Sequence, residues 1–225
     1  MTDFYGQNPR FYVGVDCIIF GLDHGQLSIL LTKRGFEPEI GKWSLQGGFV
    51  RENESVDDAA RRVLFNLTGL ENVYMEQVHT FGQVERDPGA RVVSVAYYAL
   101  LGLDDLDPAK AAKHGAVWHS VEMLPSLSFD HPEMIEEALA ALRRKCTSEP
   151  VAFKLLPDYF TLTQLQNLYE LILGEHLDKR NFRKRIAEIE CIEKTELIDK
   201  SGSRRGASLF RYNPETYKLQ PKFKL

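Results

Sequence analysis

One short stretch carries residue types suited to phosphate chemistry. Gly47-Gly48 is followed by Glu54 and then by Arg62. Paired glycines admit close backbone approach, a carboxylate can hold a metal ion, and an arginine can meet a phosphate. A helix that binds magnesium should then turn acidic. This one reads Arg62-Val63-Leu64-Phe65-Asn66-Leu67. Mg²⁺ requires hard oxygen ligands in near-octahedral geometry, and Val63 and Leu67 offer none. Asn66 could lend one neutral carbonyl, and Glu54 is separated from any partner. With no metal to neutralise a leaving phosphate, metal-assisted phosphate chemistry is not expected. Neither a metal site nor a cofactor is expected either.

A second constellation lies near the other end of the chain. Phe182, Ile186 and Ile189 share one helical face, and Arg180, Arg183 and Lys184 lie largely opposite. Asn181 flanks them, with Lys179 and Arg185 nearer the boundary. Arg and Lys neutralise phosphates, Arg can bond guanine bidentately, and Asn can do the same for adenine. Further on, Arg204 and Arg205 sit in Lys200–Gly206, a glycine-flexed tip between two strand-like segments. A preceding helix opens on the capping box Thr161-Leu162-Thr163-Gln164, so the whole reads as helix, turn, basic helix and basic wing. A solvated basic face would explain the charge alone. It would not explain why capping, an apolar inner face and a basic wing coincide.

The elements that must position these groups are legible in outline. Phe11–Phe20 and Leu27–Lys33 read as a hairpin, with a short strand at Trp43–Leu45. A capped helix follows from Ser55 to about Thr68. Strands are predicted over Gln77–Glu85, Val92–Leu103 and Val117–Ser120, and a helix over Pro132–Lys145. Strands framing helices without βαβ regularity indicate an α/β or α+β sandwich for residues 1–146. Residues 147–160 hold Pro150 and Pro157 and show no clear period, so they are read as a linker to a domain spanning 161–225.

Charge is divided unevenly. The last 75 residues carry 14 Lys and Arg against 10 Asp and Glu, whereas the first 150 carry 14 against 22. A basic module on an acidic body implies two different partners. The apolar runs are too short to span a bilayer, and no signal peptide is expected. Cys17, Cys146 and Cys191 have no CxxC spacing, which implies reduced thiols and a cytoplasmic setting.

Gly48, Glu54, Arg62, Gly69 and Leu70 stand at the spacing of the Nudix box, which the chain therefore resembles. The pattern's later glutamates fall on Val63, Asn66 and Leu67. Trp43–Phe49 supports the same likeness, with Gln46 where the family has a proline. Joined to a winged helix, the chain resembles the Nudix-related transcriptional regulators; Phe129-Asp130-His131-Pro132 and the helix Asp178–Arg185 carry that resemblance further. It implies a Nudix-like α/β/α sandwich that senses a small molecule, followed by a C-terminal winged helix-turn-helix domain. It also implies a homodimer on a palindromic duplex operator. Within the family the chain looks most like the sugar-responsive branch, the L-arabinose regulators, which implies control of carbohydrate-utilisation genes; an ADP-ribose-like nucleotide is the other effector the family uses. Arg34, Trp43, Phe49, Arg86 and His131 lie next to predicted strand ends or loops and are the candidate effector ligands. The rival reading is a Nudix hydrolase acting on ADP-ribose or another nucleoside diphosphate derivative.

Overall fold

The computed structural model describes residues 5–102, 105, 108–201, 206–219 and 223. β1 (Tyr12–Asp23) and β2 (Gln26–Lys33) form the expected hairpin, with Asp23 opposite Gln26. β3 (Trp43–Ser44) and β4 (Gln46–Phe49) follow, then α1 (Val56–Thr68). β5 (Tyr74–Phe81) and β6 (Val92–Leu101) pair antiparallel, and α2 (Pro108–Lys113) leads to β7 (Val117–Ser120). The seven strands make one sheet, ordered β3-β2-β1-β6-β5, with β4 pairing β1 and β7 pairing β2. β5 begins three residues earlier than Gln77 and ends at Phe81; a register shift between Gln77 and His79 interrupts the alternation on which the sequence reading relied.

Strand β1 changes partner along its length. Gly14–Cys17 pair with β4, whereas Phe20–Asp23 pair with β2. Its other edge runs parallel to β6 from Tyr12 to Gly21. β2 and β4 therefore diverge from β1, and the opening between them becomes the cleft described below.

Side chains alternate across the sheet, as strand geometry requires. Val15, Cys17, Ile19, Val95, Tyr97 and Ala99 face α1, whose Ala59, Ala60, Val63, Leu64 and Leu67 cover them. Ile18, Phe20, Leu27, Ile29, Ala96, Tyr98 and Leu100 face the other side and pack on α3 (His131–Ser148) through Met134, Ile135, Ala138 and Leu142. Each Val, Leu, Ile, Phe or Met among them, fully buried, contributes roughly 1.5–3 kcal/mol. Lys145 of α3 donates to Glu76 of β5 at 2.9 Å, tying helix to sheet.

The segment expected to be a linker is not one. α3 runs to Ser148, and a 3-10 helix over Pro150–Leu155 buries Pro150, Val151, Ala152, Phe153 and Leu155. These residues belong to the same core that holds Ile18 and Phe20 on one side and Leu165, Leu168, Tyr169 and Ile172 on the other. Pro150 opens a buried turn and Pro157 follows it, and the turn is too short for a period to register in the sequence.

The C-terminal unit comprises α4 (Leu162–Leu173), α5 (Lys179–Ala187), β8 (Ile192–Asp199), β9 (Ala207–Tyr212) and α6 (Pro214–Leu219). Phe160 bridges to Phe210, so the chain entering α4 adds a third edge to the wing. α5 stops at Ala187 rather than Glu190, and Ile189 still packs inward. No described helix is long and apolar enough to cross a membrane.

Candidate functional site

Ser55 caps α1, accepting from the Asp58 N–H at 3.1 Å while Asp58 reaches back to the Ser55 N–H. Glu54 just before it is fully engaged. Arg62 donates to its two carboxylate oxygens at 2.5 and 2.9 Å, and the Arg51 N–H donates at 2.8 Å. The Arg62 bond is the main reason that the carboxyl is held down at about 2. Arg62 also donates to the Phe49 carbonyl at 3.0 Å, which fastens β4 to the helix.

Val63 lies beneath Gly48 and explains that glycine: a Cβ added there would stand 2.9 Å from Val63 Cγ2. Leu67 is buried in the same core, whereas Asn66 is exposed. Two of the three positions where the family's pattern has glutamate are thus apolar packing residues, and the nearby carboxylate is already neutralised. The donor set does not fit a magnesium ion.

Above the fork in the sheet lies a cleft of about 300 Å³, lined by residues of β1, β2, β4, β6 and the loops around Arg86 and Phe129. A buried polar cluster forms its floor. Arg86 donates to Asp130 through Nε and a terminal nitrogen at 2.8 and 2.7 Å, a bidentate pair. Its second neighbour is Asp16, at 3.7 Å. Asp16 accepts from the Ser94 hydroxyl at 2.6 Å and faces His131 Nε2 at 3.6 Å. His131 Nδ1 accepts from the Leu45 N–H at 3.2 Å, so the neutral ring carries its proton on Nε2, toward the cleft. Burial pushes the imidazole below its ordinary range, against the pull of Asp16 and Asp130. One guanidinium stands among two carboxylates and a neutral ring, which leaves the floor acidic.

The mouth has the opposite character. The Arg34 guanidinium lies 4.6 Å from the ring centres of both Phe36 and Phe129, and its Nε donates to the Pro38 carbonyl. Phe129 is held in a left-handed conformation, φ 54°, where its N–H donates to Glu39. Such a conformation in a bulky residue concentrates at ligand sites. Lys33 sits over the Trp43 ring at 5.1 Å. Among the described residues neither Lys33 nor Arg34 makes an ion pair. Phe49, 55% exposed, stacks at a tilt on Tyr12.

Of the five expected ligands, Arg34, Phe49, Arg86 and His131 line the cleft. Trp43 does not: its ring packs on His119 at 4.5 Å and serves as the platform beneath Lys33. Asp16, Ser94 and Asp130 escaped the sequence reading. A lone carboxylate inside the apolar run Val15–Phe20 was the available signal for Asp16.

The basic helix is differently arranged. Asp178 caps it, accepting from the Asn181 N–H at 2.8 Å. The turn before it is pinned by Glu170, which accepts from the Leu177 N–H, and by Gln166, which donates to the Leu177 carbonyl, both at 2.9 Å. Phe182 and Ile186 face inward, and the Phe182 ring lies 6.2 Å from that of Tyr169. Lys179, Arg180, Asn181, Arg183, Lys184 and Arg185 are all exposed. None of these five cations forms an ion pair among the described residues. Arg204 and Arg205, expected at the wing tip, lie outside the described residues. Arg143, on α3, donates to the Ile172 carbonyl at 2.8 Å, so α3 grips the last turn of α4.

The Nudix domain family matches residues 10–144, and the NrtR DNA-binding winged helix domain family matches residues 152–212. The chain is 36% identical over 213 residues to the ADPR responsive transcriptional repressor NtrR of Acinetobacter baylyi, spanning 93% of this chain and 85% of that protein. It is similar to Shewanella oneidensis NrtR complexed with a 27mer DNA, with a TM-score of 0.82 at 29% identity, over 95% and 97% of the two chains. The NUDIX domain of the same protein complexed with ADP ribose matches at a TM-score of 0.51 and 28% identity, over 63% of this chain and 99% of that one.

Proposed function

The chain belongs to the family of transcriptional regulators that join a Nudix domain to an NrtR-type DNA-binding winged helix; on that premise we propose that it is a cytoplasmic homodimer whose grip on a palindromic operator changes when an ADP-ribose-class effector fills the cleft. One observation carries the choice of effector. Two cations that form no ion pair among the described residues, Lys33 and Arg34, and the exposed rings of Phe36 and Phe49 stand at the mouth of a cleft whose floor is acidic. A diphosphate placed between the cations, a base on the rings and a terminal sugar at the floor would use all three regions. The relatives' effector, ADP-ribose, has that composition.

A free sugar such as L-arabinose, expected from the sequence resemblance, would engage only the floor and leave the cations unused. Hydrolysis is not part of the proposal. Val63 and Leu67 cannot hold the metal that pyrophosphate cleavage in this family requires, and Glu54 is tied to Arg62.

The route between the two sites runs along α3. Its N-terminal residue His131 and the preceding Asp130 belong to the cleft floor, and Arg143 near its other end holds α4. An effector that prefers one position of this helix favours one separation of the two α5 helices in the dimer. Half-sites one turn apart, roughly 34–36 Å, fit only one such separation.

A gel-shift titration of the full chain on its promoter DNA tests the proposal. ADP-ribose should change operator affinity at concentrations where L-arabinose does nothing, and the nucleotide should be recovered intact after incubation with Mg²⁺ or Mn²⁺. An affinity that ADP-ribose leaves unchanged would remove the nucleotide effector. Metal-dependent release of product would restore the hydrolase reading.

A further inference from the structure

We infer that Asp16 and His131 form an acceptor–donor pair that reads a vicinal diol at the floor of the cleft. The inference rests on the proposed role of the cleft as the effector site and names the chemistry of its inner end.

The geometry is specific. Asp16 Oδ2 already accepts from Ser94 at 2.6 Å, which fixes the carboxylate plane and leaves Oδ1 for something else. The nearest donor to Oδ1 is His131 Nε2, and at 3.6 Å the two do not hydrogen-bond. The His131 side chain is 3% exposed and its Nδ1 is committed to the Leu45 N–H, so its one remaining proton points toward the cleft and meets no hydrogen-bond acceptor among the described residues. A donor and an acceptor therefore stand side by side at the cleft floor, where a ligand hydroxyl can meet each of them.

Neighbouring residues hold this arrangement open. A Cβ on Gly47 would collide with Asp16 Oδ1, so only glycine lets β4 pass here with the carboxylate in place. Arg86 forms a looser ion pair with Asp16 Oδ2 at 3.7 Å, while its hydrogen-bonding donors are taken by Asp130. It therefore acts as a positioning residue that sets the entry to α3 and so the placement of His131. It is not available as a phosphate ligand.

The pair selects its ligand by chemistry. A phosphate is repelled by Asp16, and a cation finds a donor where it needs a second acceptor. Two hydroxyls on adjacent carbons satisfy both groups: one donates to Asp16 Oδ1, and its neighbour accepts from His131 Nε2–H. Such a diol belongs to the terminal ribose of ADP-ribose or to a free pentose.

The test is calorimetric titration of the full chain with ADP-ribose, with its analogue lacking the 2-hydroxyl of the terminal ribose, and with L-arabinose. The wild-type protein should bind the deoxy analogue at least about tenfold more weakly than ADP-ribose, matching the loss of one charge-assisted hydrogen bond. Asp16→Asn should lower ADP-ribose affinity by a similar factor and leave the deoxy analogue's affinity nearly unchanged. Equal binding of the two nucleotides by the wild type overturns the inference and leaves the effector proposal standing; this arm needs no variant to fold. Equal losses for both ligands in Asp16→Asn also overturn it, because a general effect of charge or packing would act alike on each. Binding of L-arabinose alone, abolished by Asp16→Asn, upholds the diol reading and removes the nucleotide effector. Binding of none of the three removes both.

Discussion

Helices α1 and α5 resemble each other until the partners of their charges are traced. Both are amphipathic, both are capped by a side-chain oxygen at the first turn, and both bury an apolar face. On α1 the charged groups are spent within the protein: Arg62 on Glu54, Asp58 on Ser55 and Arg61, and Asp57 on the Tyr97 hydroxyl. On α5 the five Lys and Arg side chains project without ion pairs among the described residues. Charge already matched inside the fold is architecture, whereas unmatched charge is held for a partner. The family's phosphate helix has become the first kind, and the reading helix is the second.

The largest test of that contrast is Val63→Glu, which restores one carboxylate of the Nudix pattern at a buried position beneath Gly48. It should lower unfolding free energy on the order of 3–5 kcal/mol in a denaturant titration and confer no magnesium-dependent hydrolysis. If the variant keeps its stability and gains stability from Mg²⁺, α1 is still a metal helix and the contrast fails.

Arg180→Ala and Arg183→Ala should each weaken operator binding by about 1–3 kcal/mol where the arginine reads a base, measured by fluorescence anisotropy. Where it meets a phosphate, the salt dependence should fall by about one unit instead. Unfolding free energy should move by less than about 0.5 kcal/mol in either case, because no internal contact is lost. A variant that binds as wild type and unfolds early would place α5 with α1.

The smallest effect is a pH dependence that originates in the Nudix half. Burial holds His131 and His119 below their ordinary value of 6.5. The unfolded chain therefore takes up protons first, so the stability they confer is complete above that value and declines as pH falls below it. Unfolding free energies between about pH 7 and pH 5 should follow, with a slope of at most about two protons for the pair. His131→Asn should flatten that slope, and Arg183→Ala should leave it unchanged.

Much of this was open to the sequence. The hairpin, the capped helix after Ser55, the Thr161 capping box and the inward set Phe182, Ile186 and Ile189 all depend on local spacing, which a linear reading captures. The cleft is assembled from distant segments. Asp16 meets Ser94 and His131 only because β1 lies beside β6 and α3 begins beneath it, and no period in the chain encodes that. Residues 147–160 were misread for a related reason: their burial comes from neighbours on both sides, not from a pattern of their own.

Helix α3 is 18 residues long, about 27 Å, and it contributes to the cleft at one end and to the seat of α4 at the other. The hydrophobic interior continues past it through Phe153 and Leu155 to Phe160. Anyone recombining such regulators to give an operator a new inducer must therefore cut after this junction rather than at its prolines. A graft joined at Pro150 would part Phe153 and Leu155 from the interior they share with Ile18 and Phe20.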